Sequence, residues 1–130
     1  MSIETILKYK TIAVVGISDD PTRPSNFVAS FLEAHGYTII PVNPKLTEWE
    51  GIKCYPDLPS IPVKVDIVDI FRRSEAVPPI VDEAIAIKAK VVWMQEGIVN
   101  EEAAAKARKA GIEVVMDKCM KKEYVRYITP

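Results

Sequence analysis

An excess of charge of either sign is missing from this chain: 17 Lys and Arg stand against 18 Asp and Glu, a net charge of -1. No overall field draws it to nucleic acid or to an anionic membrane, and neither partner is expected. Any phosphate must therefore be held by cations placed locally. Cysteine is scarce as well. Cys54 and Cys119 are too few for a disulfide framework, so a reducing, cytoplasmic location is the expectation. His35 is the single histidine. No metal-ligand cluster and no nucleophile–base–acid set is visible, so no metal and no catalytic residue is expected. No uninterrupted apolar stretch is long enough to span a bilayer. Met1-Ser2-Ile3-Glu4-Thr5 carries an acidic residue and no apolar core of signal-peptide length.

What is present suits one domain over residues 1–130, with 48% hydrophobic and 27% charged residues. The chain is organised around Thr11 to Ser25. Ile12 to Val15 is a short apolar, β-branched run that reads as a buried strand. Gly16 ends it, where the chain must turn tightly or admit a ligand to the backbone. Ser18, Asp19, Pro21 and Pro24 keep the next residues in a loop. Ser25-Asn26 is placed to cap a helix whose inner face is Val28, Phe31, Leu32 and His35, at i, i+3, i+4 and i+7. A strand, a glycine turn and a helix start bring backbone N–H groups and a positive dipole end to one spot, which suits a phosphate. Arg23 in the same loop adds a planar, bidentate donor.

The rest of the chain alternates. Ile3, Ile6 and Leu7 read as one turn of helix, and Gly36 as a helix C-cap. Tyr37 to Val42 is a second strand, ended by the turn signal Asn43-Pro44. Residues 43–64 carry Pro44, Pro56, Pro59 and Pro62, which exclude a long helix. A brief extended piece at Gly51–Tyr55 and a turn at Leu58–Ser60 are expected there. An irregular excursion of that length usually lines a site. Val65 to Phe71 is a third strand, with Val65, Ile67 and Asp69 on one face. A helix follows to about Ala89, with Val77, Ile80, Val81, Ala84 and Ile85 inward and Pro78-Pro79 in its first turn. Lys90 to Met94 is a fourth strand. Asn100 caps a helix with Glu101 and Glu102 at its start, Gly111 at its end and a stripe of alanines for close packing. Ile112 to Met116 is a fifth strand, and Asp117 is expected to cap a last helix from Lys118 to Tyr124.

Alternating strands and helices imply an α/β fold: a doubly wound, parallel, five-stranded Rossmann-like sheet with expected order 3-2-1-4-5. Such sheets bind ligands outside the carboxyl ends of the strands, beside the first one. That rule collects the candidate site. Strand one delivers Gly16, Ile17, Ser18, Arg23 and Ser25. Strand two delivers Val42, Asn43, Pro44 and Lys45. Strand three delivers Phe71, Arg72 and Arg73. Strand four delivers Gln95, Glu96 and Gly97. Strand five delivers Asp117, Lys118 and Cys119. Arg23, Lys45, Arg72, Arg73 and Lys118 thus gather at one edge of a nearly neutral chain. The nicotinamide fingerprint fails, since Ser18 stands at its second glycine and Asn43-Pro44 at its acid. No Gly-Lys-Ser/Thr follows Gly16 either. The cations at Lys45, Arg72 and Arg73 suit a ligand with an additional phosphate.

Five motifs occur in order: Val-Val-Gly-Ile-Ser-x-x-Pro-x-Arg-Pro-Ser (14–25), Gly-Tyr-x-Ile-x-Pro-Val-Asn-Pro (36–44), Val-Asp-Ile-Val-Asp-Ile-Phe-Arg-Arg (65–73), Val-Val-Trp-Met-Gln-x-Gly-Ile (91–98) and Val-Val-Met-Asp-Lys-Cys (114–119). In these the chain closely resembles the small single-domain CoA-binding proteins, and also the CoA-binding domain of the succinyl-CoA synthetase α-subunit. The resemblance implies coenzyme A, or an acyl-CoA, as cofactor. It implies that the Gly16–Ser18 loop and Arg23 hold phosphates, and that Val42-Asn43-Pro44 and Lys45 flank the nucleotide. Phe71-Arg72 would meet the adenine side, and Gln95 and Gly97 the pantetheine path. The ligase relatives carry their phosphorylated histidine in a second domain that this chain lacks, and His35 falls away from the ligand edge. Non-catalytic binding of CoA is the leading expectation. One alternative is a CoA-binding subunit completed by a separate ATP-using chain. Another is a redox role in which Cys119 forms a mixed disulfide with the CoA thiol, against the simpler reading of a small buried residue before a helix. Trp49 and Trp93 are read as packing residues, and Cys54 has no argued role.

Overall fold

The computed structural model describes residues 1–128. Its elements run α1 (Ile3–Ile6), β1 (Thr11–Val15), α2 (Pro24–Ala34), β2 (Thr38–Val42), β3 (Glu48–Trp49), β4 (Ile52–Lys53), β5 (Ile67–Ile70), a 3₁₀ turn (Ser74–Ala76), α3 (Val77–Ala86), β6 (Val91–Met94), α4 (Glu101–Lys109), β7 (Glu113–Val115) and α5 (Met120–Tyr127). The five longer strands form one parallel sheet in the order β2-β1-β5-β6-β7. β3 and β4 make a small antiparallel hairpin within the proline-rich excursion.

The sheet is the expected doubly wound Rossmann-like one. Just after the hairpin, Tyr55 bridges Val42 in parallel on the open side of β2. Asn43 N–H donates to the Tyr55 carbonyl at 2.9 Å, and Tyr55 N–H to that of Pro41 at 3.0 Å. Counting this edge piece as the third strand, the arrangement is 3-2-1-4-5, with β7 as a sixth. The run at 65–71 therefore sits beside β1, opposite β2. Local pattern does not say on which side of β1 a buried run will pair. The winding reverses between β1 and β5, which makes that crevice the switch point.

The strands read as unbroken apolar runs because both faces are covered. Ala13, Val15, Val68, Ile70, Val92 and Met94 point to one side, where α3 and α4 bring Val77, Val81, Ala84, Ala103, Ala104 and Ala107. Ile12, Val14, Ile67, Val91 and Trp93 point to the other, beneath Val28, Ala29 and Leu32 of α2, Ile6 of α1 and Met120 of α5. Each fully buried Ile, Val or Leu contributes about 1.5–3 kcal/mol of apolar transfer. The alanines of α4 let that helix lie close to its neighbours, as expected.

Helix starts differ from expectation in two places. α2 begins at Pro24 with Arg23 in the cap position, so Ser25 and Asn26 lie inside its first turn and neither caps it. Its buried stripe is Val28, Ala29 and Leu32, while Phe31 is half-buried and His35 is exposed, stacked on Phe31 at 4.1 Å. α5 begins at Met120 with Cys119 in the cap position. Asp117 does not cap it, because its backbone takes φ +59° and its carboxylate is used elsewhere. Asn100 does cap α4, its Oδ1 accepting from Ala103 N–H at 2.9 Å.

Candidate functional site

A cleft of about 990 Å³ opens over the carboxyl ends of β1, β2, β5 and β6. Its floor is set by Gly16. The residue has φ +88°, and a Cβ there would run into the Phe71 carbonyl and come within 3.1 Å of Arg72 Nε. Only glycine combines that backbone conformation with so close an approach. The glycine stays in the sheet through its N–H, which donates to the Val42 carbonyl at 2.9 Å. The half-buried Arg72 side chain thereby lies against the turn, at the switch point.

The loop after β1 is fixed from three directions. Asn43 Nδ2 donates to the Ile17 carbonyl at 2.8 Å. Asn26 Nδ2 and Trp49 Nε1 both donate to the Ser18 carbonyl, at 2.8 and 3.1 Å. Ser18 Oγ accepts from Asp20 N–H at 3.0 Å, and Asp20 Oδ1 accepts from Thr22 N–H at 2.9 Å. That donation from Thr22 is also the main reason the Asp20 carboxyl titrates below its ordinary value. With the carbonyls so occupied, the N–H groups of Ile17, Ser18 and Ser25 have no protein acceptor among the described residues. Unused N–H groups in a loop and at the first turn of a helix form an anion cradle.

Of the residues expected at this edge, Gly16, Ile17, Ser18, Arg23 and Ser25 line the cleft, as do Asn43 and Lys45 after β2. Phe71, Arg72 and Arg73 line it after β5, Gln95 and Gly97 after β6, and Cys119 at the start of α5. Val42 and Pro44 are not on its wall. Val42 is core, 2% exposed, because its side chain falls on the α3–α4 side of the sheet. Pro44 is exposed in the turn that Asn43 Oδ1 closes by accepting from Lys45 N–H at 2.9 Å. Lys118 also leaves the set. Its ammonium lies 3.9 Å from the buried Glu123, and Lys122 takes its place on the wall. Arg73 is on the rim, 90% exposed, with Nε 3.7 Å from Glu75.

The β6 side of the cleft differs in character. Asp117 Oδ1 accepts from Gly97 N–H at 2.7 Å, and Trp93 Nε1 donates to the Lys118 carbonyl at 2.8 Å, which holds the chain that carries Cys119. Both indoles are fully buried, as the packing reading requires, and both use their N–H to pin a loop at the rim. Lys122 Nζ lies 3.0 and 3.1 Å from the two oxygens of Glu96, and that bond holds the ammonium above its ordinary titration range. Beneath lies Asp69, fully buried. Its Oδ1 accepts from Gln95 Nε2 at 2.6 Å, and its Oδ2 has no partner among the described residues. Burial pushes this carboxyl up to about 7, against the opposing effect of the Gln95 bond. Burial likewise raises the Cys54 thiol.

Residue order places Glu96 at this edge, where it lines the cleft, and Asp117 too, though as a helix cap and not as the acceptor of the Gly97 N–H. Sequence reasoning misses Asn26, Trp49 and Asp69 as positioning residues, and Phe27, Leu46 and Lys122 as part of the wall. Lys122 had one available signal, its place one helical turn after Cys119. Among the described residues no group of three or more His, Cys, Asp and Glu is placed to hold a metal ion, and no helix is long and apolar enough to cross a membrane.

A parallel sheet with helices on both faces and a glycine turn at its switch point defines a Rossmann-like ligand-binding domain. Residues 10–125 match the family described as CoA binding domain, and the chain belongs to that family. It is 44% identical over 118 residues to the Uncharacterized protein YneT of Bacillus subtilis, covering 91% of this chain and 87% of that one. It is 28% identical over 128 residues to acetate–CoA ligase [ADP-forming] I of Archaeoglobus fulgidus, of which it spans only 19%. Among solved structures, a hypothetical protein from Pyrococcus horikoshii OT3 superposes with a TM-score of 0.94 at 42% identity, over 98% of this chain and 93% of that one.

Proposed function

We propose that this chain binds coenzyme A, or an acyl-CoA, non-covalently in the cleft at the carboxyl edge, and performs no chemistry of its own. The observation that carries this is the meeting of the Gly16 turn, the unused N–H groups of Ile17, Ser18 and Ser25, and Arg23, Lys45 and Arg72 on one wall. That side suits the phosphorylated nucleotide. The part of the cleft lined by Gln95, Gly97 and Cys119 has its one cation, Lys122, paired with Glu96, and suits the uncharged pantetheine arm. Family membership supports the choice of CoA over other phosphorylated nucleotides. Thermal unfolding with CoA, dephospho-CoA, NAD and ATP tests it. CoA at 100 times its Kd should add ~2.7 kcal/mol, roughly 8–14 °C for a domain of this size, and more than dephospho-CoA at the same concentration. A larger shift with NAD overturns the assignment.

A second reading is a CoA-binding subunit of a multi-chain acyl-CoA ligase, favoured by the match to a fifth of an ADP-forming ligase. CoA-dependent ATP turnover on adding a co-purifying partner would support it. The redox alternative keeps one foothold, the half-buried Cys119 on the cleft wall. Intact mass after exposure to CoA disulfide, with and without reductant, decides it.

A further inference from the structure

Among the described residues Asp69 is the one buried carboxylate inside the sheet, and the binding reading leaves it unused. Its place follows from register. Asp69 pairs with Trp93, so Gln95, two residues on, projects from the same face of β6 just past the strand end. An aspartate there can reach diagonally to the side chain at the rim. Gln95 is 3% exposed yet borders the cleft, so only a small part of it meets ligand. Asp69 Oδ1 takes the Nε2 end of the amide at 2.6 Å. Gln95 Oε1 has no protein partner among the described residues and is not sealed from solvent, so it is the end that faces the cleft.

We propose that Asp69 is a specificity-determining positioning residue: by occupying the Gln95 amide nitrogen, it fixes Gln95 Oε1 as a hydrogen-bond acceptor for an N–H or S–H donor on the pantetheine arm. This rests on the CoA reading above. Above its titration point of about 7 the Asp69 carboxylate can only accept, so at pH 8, where the binding test is run, it holds the amide in one of its two orientations. An asparagine at 69 could donate instead, letting Gln95 turn over and offer its NH₂ to the ligand. An uncharged arm whose donors find a fixed acceptor is recognised apart from the phosphates that anchor it.

The test compares CoA with 3′-phospho-ADP, which keeps the phosphates and adenosine and lacks the arm. Asp69→Asn should weaken CoA about three- to tenfold, the range for one hydrogen bond, and leave 3′-phospho-ADP unchanged. Gln95→Met, similar in volume and without the amide, should do the same. A wild-type measurement covers the case in which either variant fails to fold. The Gln95 side-chain carbonyl ¹³C resonance should move with CoA and stay still with 3′-phospho-ADP, while the Nε2 protons remain slow to exchange. Equal loss for both ligands, no loss for either, or a stationary carbonyl overturns the proposal while CoA binding stands. Failure of the wild-type protein to bind CoA removes the binding reading and this inference together.

Discussion

The Trp49 indole N–H donates to the carbonyl of Ser18 at 3.1 Å, joining the irregular excursion to the glycine loop across 31 residues of chain. The excursion is thus a strut for the cleft. Trp49 is 1% exposed, so burial anchors the ring and the hydrogen bond positions the loop. Trp49→Phe keeps most of the apolar contact and removes the donor. It should cost about 1 kcal/mol, roughly 3–5 °C in Tm, and weaken CoA binding as the loop loosens. Thermal unfolding and a CoA titration of the same sample check both.

Gly16→Ala should be more damaging than its size suggests. The new methyl meets the Phe71 carbonyl, and φ +88° is unfavourable for any L side chain. Backbone strain of about 1–3 kcal/mol is expected, with CoA affinity falling more than tenfold because the floor moves. Gly111→Ala is the control. It has a similar φ of +85° and open space around it, so it should share the strain and spare the affinity.

Asp69 predicts the direction of a pH dependence. Its folded titration point, about 7, lies above the ordinary 3.8, so the folded chain binds a proton that the unfolded chain has released in between. The stability it contributes is fully present below about pH 4 and is lost as pH rises through about 7. Wild type minus Asp69→Asn should therefore decline across that window, by a few kcal/mol in order of magnitude. Urea unfolding of both proteins at pH 5, 6, 7 and 8 measures it. A difference that grows with pH would show that the carboxylate is stabilised as an anion.

Arg72 and Arg73 are adjacent in sequence and unequal in place. Arg72 lies against the Gly16 turn, and Arg73 is 90% exposed beside Glu75. Arg72→Ala should lose at least tenfold in CoA affinity, and Arg73→Ala less than threefold. Raising salt from 50 to 300 mM should narrow the gap between Arg73→Ala and wild type first, because exposed charges are the more screened. Calorimetric titration at both salt levels reads this.

Much of this architecture is legible in residue order. Ile12–Val15, Ile39–Val42 and Val91–Met94 announce buried strands because both faces are covered and every residue is apolar. Gly16 and Asn43-Pro44 mark where two of them end at the cleft. The outer order is less legible, since nothing local to Val65–Phe71 says that it joins β1 on the side away from β2. The start of α5 was masked by Asp117, a good capping type whose carboxylate is taken by the Gly97 N–H. Val42 misled for a related reason: it neighbours Asn43 in the chain, but strand alternation turns its side chain away from the cleft. The strut at Trp49 depends on a contact across 31 residues, which no local pattern encodes, and the one at Asn26 on how the loop folds back over the first turn of α2.

Where CoA lands on the chain is the central question. A ¹⁵N backbone shift titration of the wild-type chain with CoA reads that directly. Saturable shifts at one CoA per chain, gathered at Gly16–Ser18, Ser25, Lys45, Arg72 and Gly97, are the predicted result. Absence of saturable shifts, or shifts gathered on the outer faces of α3 and α4, would contradict it.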